Sequence, residues 1–170
     1  MIARILLILS TINISVFADQ NQLSVSLLNS ELKKNYSFVE RSLSQSTMTI
    51  DNSSGKILFD DAGITVNVLS PFEENYRIEE GIIEIHDLFL DQKQTIDVDQ
   101  ANNFFLDILI DGITMNNQAY NVSIINNASI EIFSVDQNAL ISFLFSGNRL
   151  ELIRYKDSIG VEHGIELTPL

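Results

Sequence analysis

Few residues of this chain could do chemistry, and their spacing argues against catalysis. There are two histidines, His86 and His163, and no cysteine among the 170 residues. Neither histidine belongs to a His-Glu-x-x-His pair that could hold zinc. No Gly-x-Ser-x-Gly elbow and no Gly-rich phosphate loop is present. Asp97 and Asp99 stand two apart, so on one extended strand they face the same way and could share a cation. Solvated strand-edge carboxylates give the same pattern far more often, and neither a metal nor a cofactor is expected. The expectation is a protein that is not an enzyme, so its elements must build a binding surface rather than position a reacting group.

Residues 64–99 organise those elements. Ile64, Val66 and Val68 share one strand face; Ile83 and Ile85 share another. Pro71, then Glu80-Gly81, then the stretch after Asp87 mark turns, and a fourth strand leaves from Gln92. An antiparallel meander of this kind needs cover for its apolar face. Two amphipathic segments can supply it. In residues 21–35, Val25, Leu28 and Leu32 recur at helical spacing beside Leu27, with Lys33-Lys34 near the end. In residues 102–111, Phe104, Phe105, Ile108 and Leu109 form a stripe behind the capping candidates Asn102-Asn103, and Gly112 stops it.

Tyr36 to Ile50 reads as a long strand with Phe38, Glu40 and Ser42 on one face, and a turn at residues 51–55 leads into a strand at Lys56–Phe59. From Tyr120 the chain alternates through further strands separated by turns at Asn126-Asn127, Asp136–Asn138, Ser146–Asn148 and Asp157–Gly160. Ala139 to Ser146 is apolar on both faces and is expected to be covered on both.

The first residues read as a targeting signal. Arg4 precedes a largely apolar run from Ile5 to Phe17, and Val16-Phe17-Ala18 fits a cleavage site, so residues 1–18 are expected to be removed on export. Residues 19–170 then have the length of one domain. Losing Arg4 leaves 9 basic and 23 acidic residues, a net charge of −14 against −13 for the full chain. Such a field repels phosphate backbones and anionic lipid headgroups, which argues against nucleic acid and against tight adsorption to an anionic membrane.

The order Ser70-Pro71-Phe72-Glu73, Ile78 to Asp87, then Leu88-Phe89-Leu90-Asp91-Gln92 resembles the middle of LolA, the periplasmic carrier of outer-membrane lipoproteins. Leu150, Ile153, Asp157 and Gly160 resemble its C-terminal half. The resemblance implies a mainly β fold with α: an unclosed, strongly curved antiparallel β-sheet, a half-barrel, covered on its concave side by helices. It implies a periplasmic monomer that takes lipoprotein acyl chains from an inner-membrane lipoprotein-releasing transporter and passes them to an outer-membrane lipoprotein acceptor. The acyl-chain cleft would be lined by Val66, Val68, Ile83 and Ile85, by Phe143 and Phe145, and by Phe104, Phe105, Ile108 and Leu109 of a mobile lid. The chain departs from the family where an Arg-Pro pair is usual: Phe59-Asp60-Asp61-Ala62-Gly63 is acidic and has no Arg. A lid without that Arg should open more readily. The excess of Phe89, Phe104, Phe105, Phe143 and Phe145 favours a carrier, though a filled core would use them too. The alternative is a non-enzymatic periplasmic interaction module with a filled core and no lipid ligand.

Overall fold

The computed structural model describes residues 23–101 and 103–170. The expected leader, residues 1–18, lies outside them, as do the first two residues of the expected first helix and Asn102.

Eleven strands form one antiparallel sheet in the order β6-β5-β4-β3-β2-β1-β11-β10-β9-β8-β7. They are β1 (Tyr36–Ser44), β2 (Thr49–Phe59), β3 (Gly63–Ser70), β4 (Glu74–Glu79), β5 (Ile82–Asp87), β6 (Gln92–Asp97), β7 (Tyr120–Ile125), β8 (Ser129–Ser134), β9 (Ala139–Ser146), β10 (Arg149–Lys156) and β11 (Val161–Pro169). The order follows from two runs of hairpins, β1 to β6 and β7 to β11, joined where β11 pairs with β1 (Tyr36 opposite Pro169, Ser44 opposite Val161). The two ends of the order, β6 and β7, do not pair with each other, so the sheet stays open. Edge strand β6 carries Gln92, Lys93 and Gln94, which discourage edge pairing.

Register puts one apolar ladder on one face. Ile83 stands opposite Ile78, Ile78 opposite Ile64, Val66 opposite Ile57 and Ile57 opposite Tyr36. On the other half Ile165 stands opposite Ile153, Ile153 opposite Phe143, and Phe143 opposite Ile130. Between β1 and β2 the aromatic ring of Phe38 lies over Gly55. A Cβ there would sit 2.0 Å from the Asn67 carbonyl oxygen, so only glycine allows strands and ring this close.

Three helices complete the described residues: α1 (Val25–Glu31), α2 (Val98–Ala101) and α3 (Phe104–Asp111). The Ser24 hydroxyl caps α1 by accepting the Leu27 N–H at 3.1 Å, and the Asn103 side chain caps α3 by accepting from Phe105 and Leu106. α1 is shorter than its pattern predicts, because Leu32 closes it and Lys33-Lys34 fall in the following turn.

The eight-residue α3, about 12 Å long, shows how far the sheet curls. Phe104 lies 5.9 Å, ring to ring, from Tyr120 on β7, and Phe105 stacks on Tyr155 of β10 at 4.9 Å. Leu109 and Ile110, near its other end, border a cleft shared with Ile64 and Ile78 of β3 and β4. On a flat sheet β4 and β7, eight steps apart, would be separated by about 38 Å. The sheet therefore wraps around the helices, and Leu28 and Ile108 are fully buried inside the curve. The molecule is the open half-barrel, helices on its concave side, that the sequence resemblance implies.

Three local expectations fail. The first turn lies at 45–48, where Met48 takes a left-handed conformation (φ 57°), and not at 51–55, so β1 ends at Ser44 and Asp51 to Gly55 pair within β2 opposite Ser42 to Phe38. β9 is buried on its inner face only: Ile141 and Phe143 are inside, while Leu140 is exposed. Among the described residues no second layer covers the outer face. Asp97 ends β6 but Asp99 lies in α2, so the two do not share a strand face.

Candidate functional site

The concave face is the candidate site. All ten predicted cleft residues belong to one apolar cluster on it. Ile83, Phe104, Phe105, Ile108 and Phe143 are buried; Val66, Val68, Ile85, Leu109 and Phe145 are partly buried. Position along the sheet explains the split. The helices press on the middle of the arc and on β8 to β10, where Ile130, Ile132 and Phe143 have no exposed surface, whereas β3 and β5 leave Val66, Val68 and Ile85 half covered. Phe89, counted with the apolar excess, is instead 81% exposed on the β5–β6 turn.

The inner face is thus packed rather than hollow. A cleft of about 1150 Å³ touches Phe104 and Phe105 but otherwise runs along Tyr155, His163 and the turns at 136–138 and 157–159. A smaller one of about 460 Å³ includes Leu109, and another of about 460 Å³ includes Ile85. Val66, Val68, Ile83, Ile108, Phe143 and Phe145 line none of these three.

What closes the face is α3, and a side chain of α1 fastens it. Asn29 accepts the Ile113 N–H at 2.8 Å and donates to the Ile113 carbonyl at 2.8 Å, clamping the backbone just past the α3 C-cap Gly112. This latch joins the two helices without an Arg. Glu31, buried in the same region, accepts from the Tyr36 hydroxyl at 2.9 Å and from the Leu150 N–H at 3.1 Å, and pairs with Lys34. Burial pushes its carboxyl up, and the hydrogen bonds from Lys34, Leu150 and Tyr36 together outweigh that and hold it below the ordinary carboxylate value. The acidic segment at 60–63 has its own partner: Arg77 of β4 donates to both carboxylate oxygens of Asp60 at 2.7 and 3.0 Å.

A polar inclusion interrupts the ladder at the cleft mouth. His163 Nδ1 lies 2.6 Å from Glu40 Oε1 and its Nε2 lies 3.3 Å from Asp157 Oδ2. With a carboxylate at each ring nitrogen, both can be donors only when the ring is protonated. The Glu40 hydrogen bond raises the His163 pKa above its ordinary value, and Asp157 adds to the effect. The His163 ring stacks on Tyr155 at 4.6 Å, and Tyr155 stacks on Phe105, so the inclusion reaches α3 through three rings. Among the described residues the hydroxyl bonded to this carboxylate–imidazole group is that of Ser53, which donates to Glu40 and not to His163. It is therefore not placed as a nucleophile activated by the imidazole. Among the described residues no group of His, Cys, Asp and Glu is placed to hold a metal ion.

Sequence reasoning missed Asn29, Glu31 and the His163 cluster. Two signals were available. Glu40 shares its strand face with Phe38, which aims a carboxylate inward, and Glu31 lies three residues after Leu28 and one before Leu32, at the edge of the apolar stripe. Nothing local marks Asn29, whose partner is 84 residues away.

No protein-family model matches the chain, and no curated protein matches it. Among solved structures the chain is similar to a LolA superfamily protein from Nitrosomonas europaea, with a TM-score of 0.46 and 10% identity over 84% of this chain and 90% of that one.

Proposed function

We propose that the protein is a non-enzymatic periplasmic carrier that holds lipoprotein acyl chains against its concave face. In this reading it shuttles them from an inner-membrane lipoprotein-releasing transporter to an outer-membrane acceptor. One observation supports the reading above others: the inner face is apolar along nearly the whole arc, yet what lies over Tyr155 and beside Ile64 and Ile78 is an eight-residue helix latched by one Asn. Swinging α3 away would uncover Phe104, Phe105 and Ile108 together with the strand residues beneath them.

The energetics of the exchange are close to balanced. Exposing three buried side chains costs roughly 1.5–3 kcal/mol each. An acyl chain gains about 0.8 kcal/mol per buried CH₂, on the order of 10 kcal/mol in all. A chain that displaces α3 is then held modestly, and an acceptor with a better-preformed apolar site can take it downhill without ATP. Val66, Val68 and Ile85, already half uncovered, would receive the chain first.

Titration of delipidated protein with a fluorescent fatty-acid analogue tests the proposal. The parent should bind saturably, and Leu109→Glu should bind at least about tenfold more weakly with an unchanged circular dichroism spectrum. If the parent does not bind, the filled-core interaction module is the correct reading, and the tight packing around Phe143 and Ile108 is its supporting observation.

A further inference from the structure

The two ends of the half-barrel differ in a way that carriage by the inner face does not require. At one end five hairpin turns follow one another along the arc: 88–91, 70–73, 45–48, 157–160 and 135–138. Each carries a large apolar side chain directed at solvent: Phe89 81% exposed, Phe72 67%, Met48 85%, Ile159 81% and Val135 54%. At the other end the turns at 60–62, 80–81, 126–128 and 147–148 hold only Asp, Glu, Asn, Gly and Ala. Turns ordinarily take small or polar residues, so apolar tips on all five turns of one end and on none of the four at the other are not a by-product of folding. The tips are held in place. The Leu88 N–H donates to the Glu73 carbonyl at 3.0 Å, joining two neighbouring turns, and the Asp87 carboxylate accepts the Leu90 N–H at 2.8 Å.

We infer that this rim docks the protein on a zwitterionic lipid surface. Its tips are spread along a curved row that, at about 4.8 Å per strand, spans several tens of ångströms. Separate protrusions on such a row suit shallow insertion into a broad interface better than one compact protein pocket. Charge selects the lipid. The five turns carry Glu73, Asp91, Asp136 and Asp157 and no Lys or Arg. These carboxylates complement the outward ammonium of zwitterionic headgroups and are repelled by anionic ones. The large cleft is bordered by residues 136–138, 158 and 159, so its mouth lies on the docked side. The inference stands on the rim alone and does not rest on what the inner face binds.

Flotation with phosphatidylcholine vesicles tests it, comparing the parent with a variant carrying M48S, F72S, F89S, V135S and I159S. All five side chains are exposed, so the variant should melt as the parent does. The parent should float with neutral vesicles, the variant should lose about tenfold or more of that partition, and adding phosphatidylglycerol at low salt should weaken parent binding. Leu109→Glu should float like the parent, which separates docking from carriage. A parent that stays behind, a variant that floats equally well, or preference for anionic vesicles overturns the inference; in the first case a protein surface becomes the occupant of the rim.

Discussion

His163 and Glu40 make stability depend on pH in a direction that can be worked out. The folded pKa of His163 is raised from its ordinary value of 6.5 by the Glu40 hydrogen bond. Its contribution is therefore complete below pH 6.5 and lost as pH climbs through the folded value. The folded pKa of Glu40 is lowered from 4.5 by the same hydrogen bond, so its contribution is present above pH 4.5 and lost as pH falls through the folded value. The melting temperature of the parent should exceed that of His163→Gln most between those two values, and the gap should narrow on either side. Thermal melts across pH check this; a gap independent of pH would contradict it. At Glu31 the effect is packing and hydrogen bonding together. Glu31→Ala strips acceptors from the Tyr36 hydroxyl and the Leu150 N–H, both in the interior, at a cost of about 1–3 kcal/mol each. A denaturant melt should show a loss of about 2–6 kcal/mol.

At the scale of elements, α3 carries the account. Its stripe of Phe104, Phe105, Ile108 and Leu109 was legible because helical spacing is a local property, and so were its Asn103 cap and Gly112 stop. The strands were legible for the same reason, except at the first hairpin: the Asp51–Gly55 run that reads as a turn is paired within β2, so the end of β1 and the start of β2 were both placed too late in the chain. What local pattern could not show is which side chains meet across the arc. The Asn29 clamp on Ile113 and the three-ring stack from Phe105 to His163 exist only once β11 has paired with β1 and curled the sheet. The outer face of β9 misled for a related reason, since Leu140 and Leu144 make that strand look enclosed although none of the described residues forms a layer outside it. Asn29→Ala removes two hydrogen bonds and should cost about 1–3 kcal/mol of stability. By loosening the latch it should also strengthen fatty-acid binding, because a more populated open state lowers the apparent Kd. Weaker binding in that variant would argue against α3 as a lid.

At the scale of the whole molecule, curvature converts an ordinary apolar sheet face into an interior occupied by short helices. β-Strand pairing alone sets the strand order, but the close approach of α3 to both β7 and the β3–β4 region requires the sheet to wrap. The same wrapping leaves β3 and β5 incompletely covered, which is where an entering chain would first find apolar surface. Hydrogen exchange of the α3 backbone amides, with and without a saturating fatty acid, tests displacement most directly. Faster exchange across residues 104–111 is expected when the fatty acid is bound, with the strands β9 and β10 protected as before. Unchanged or slower exchange in α3 would contradict it.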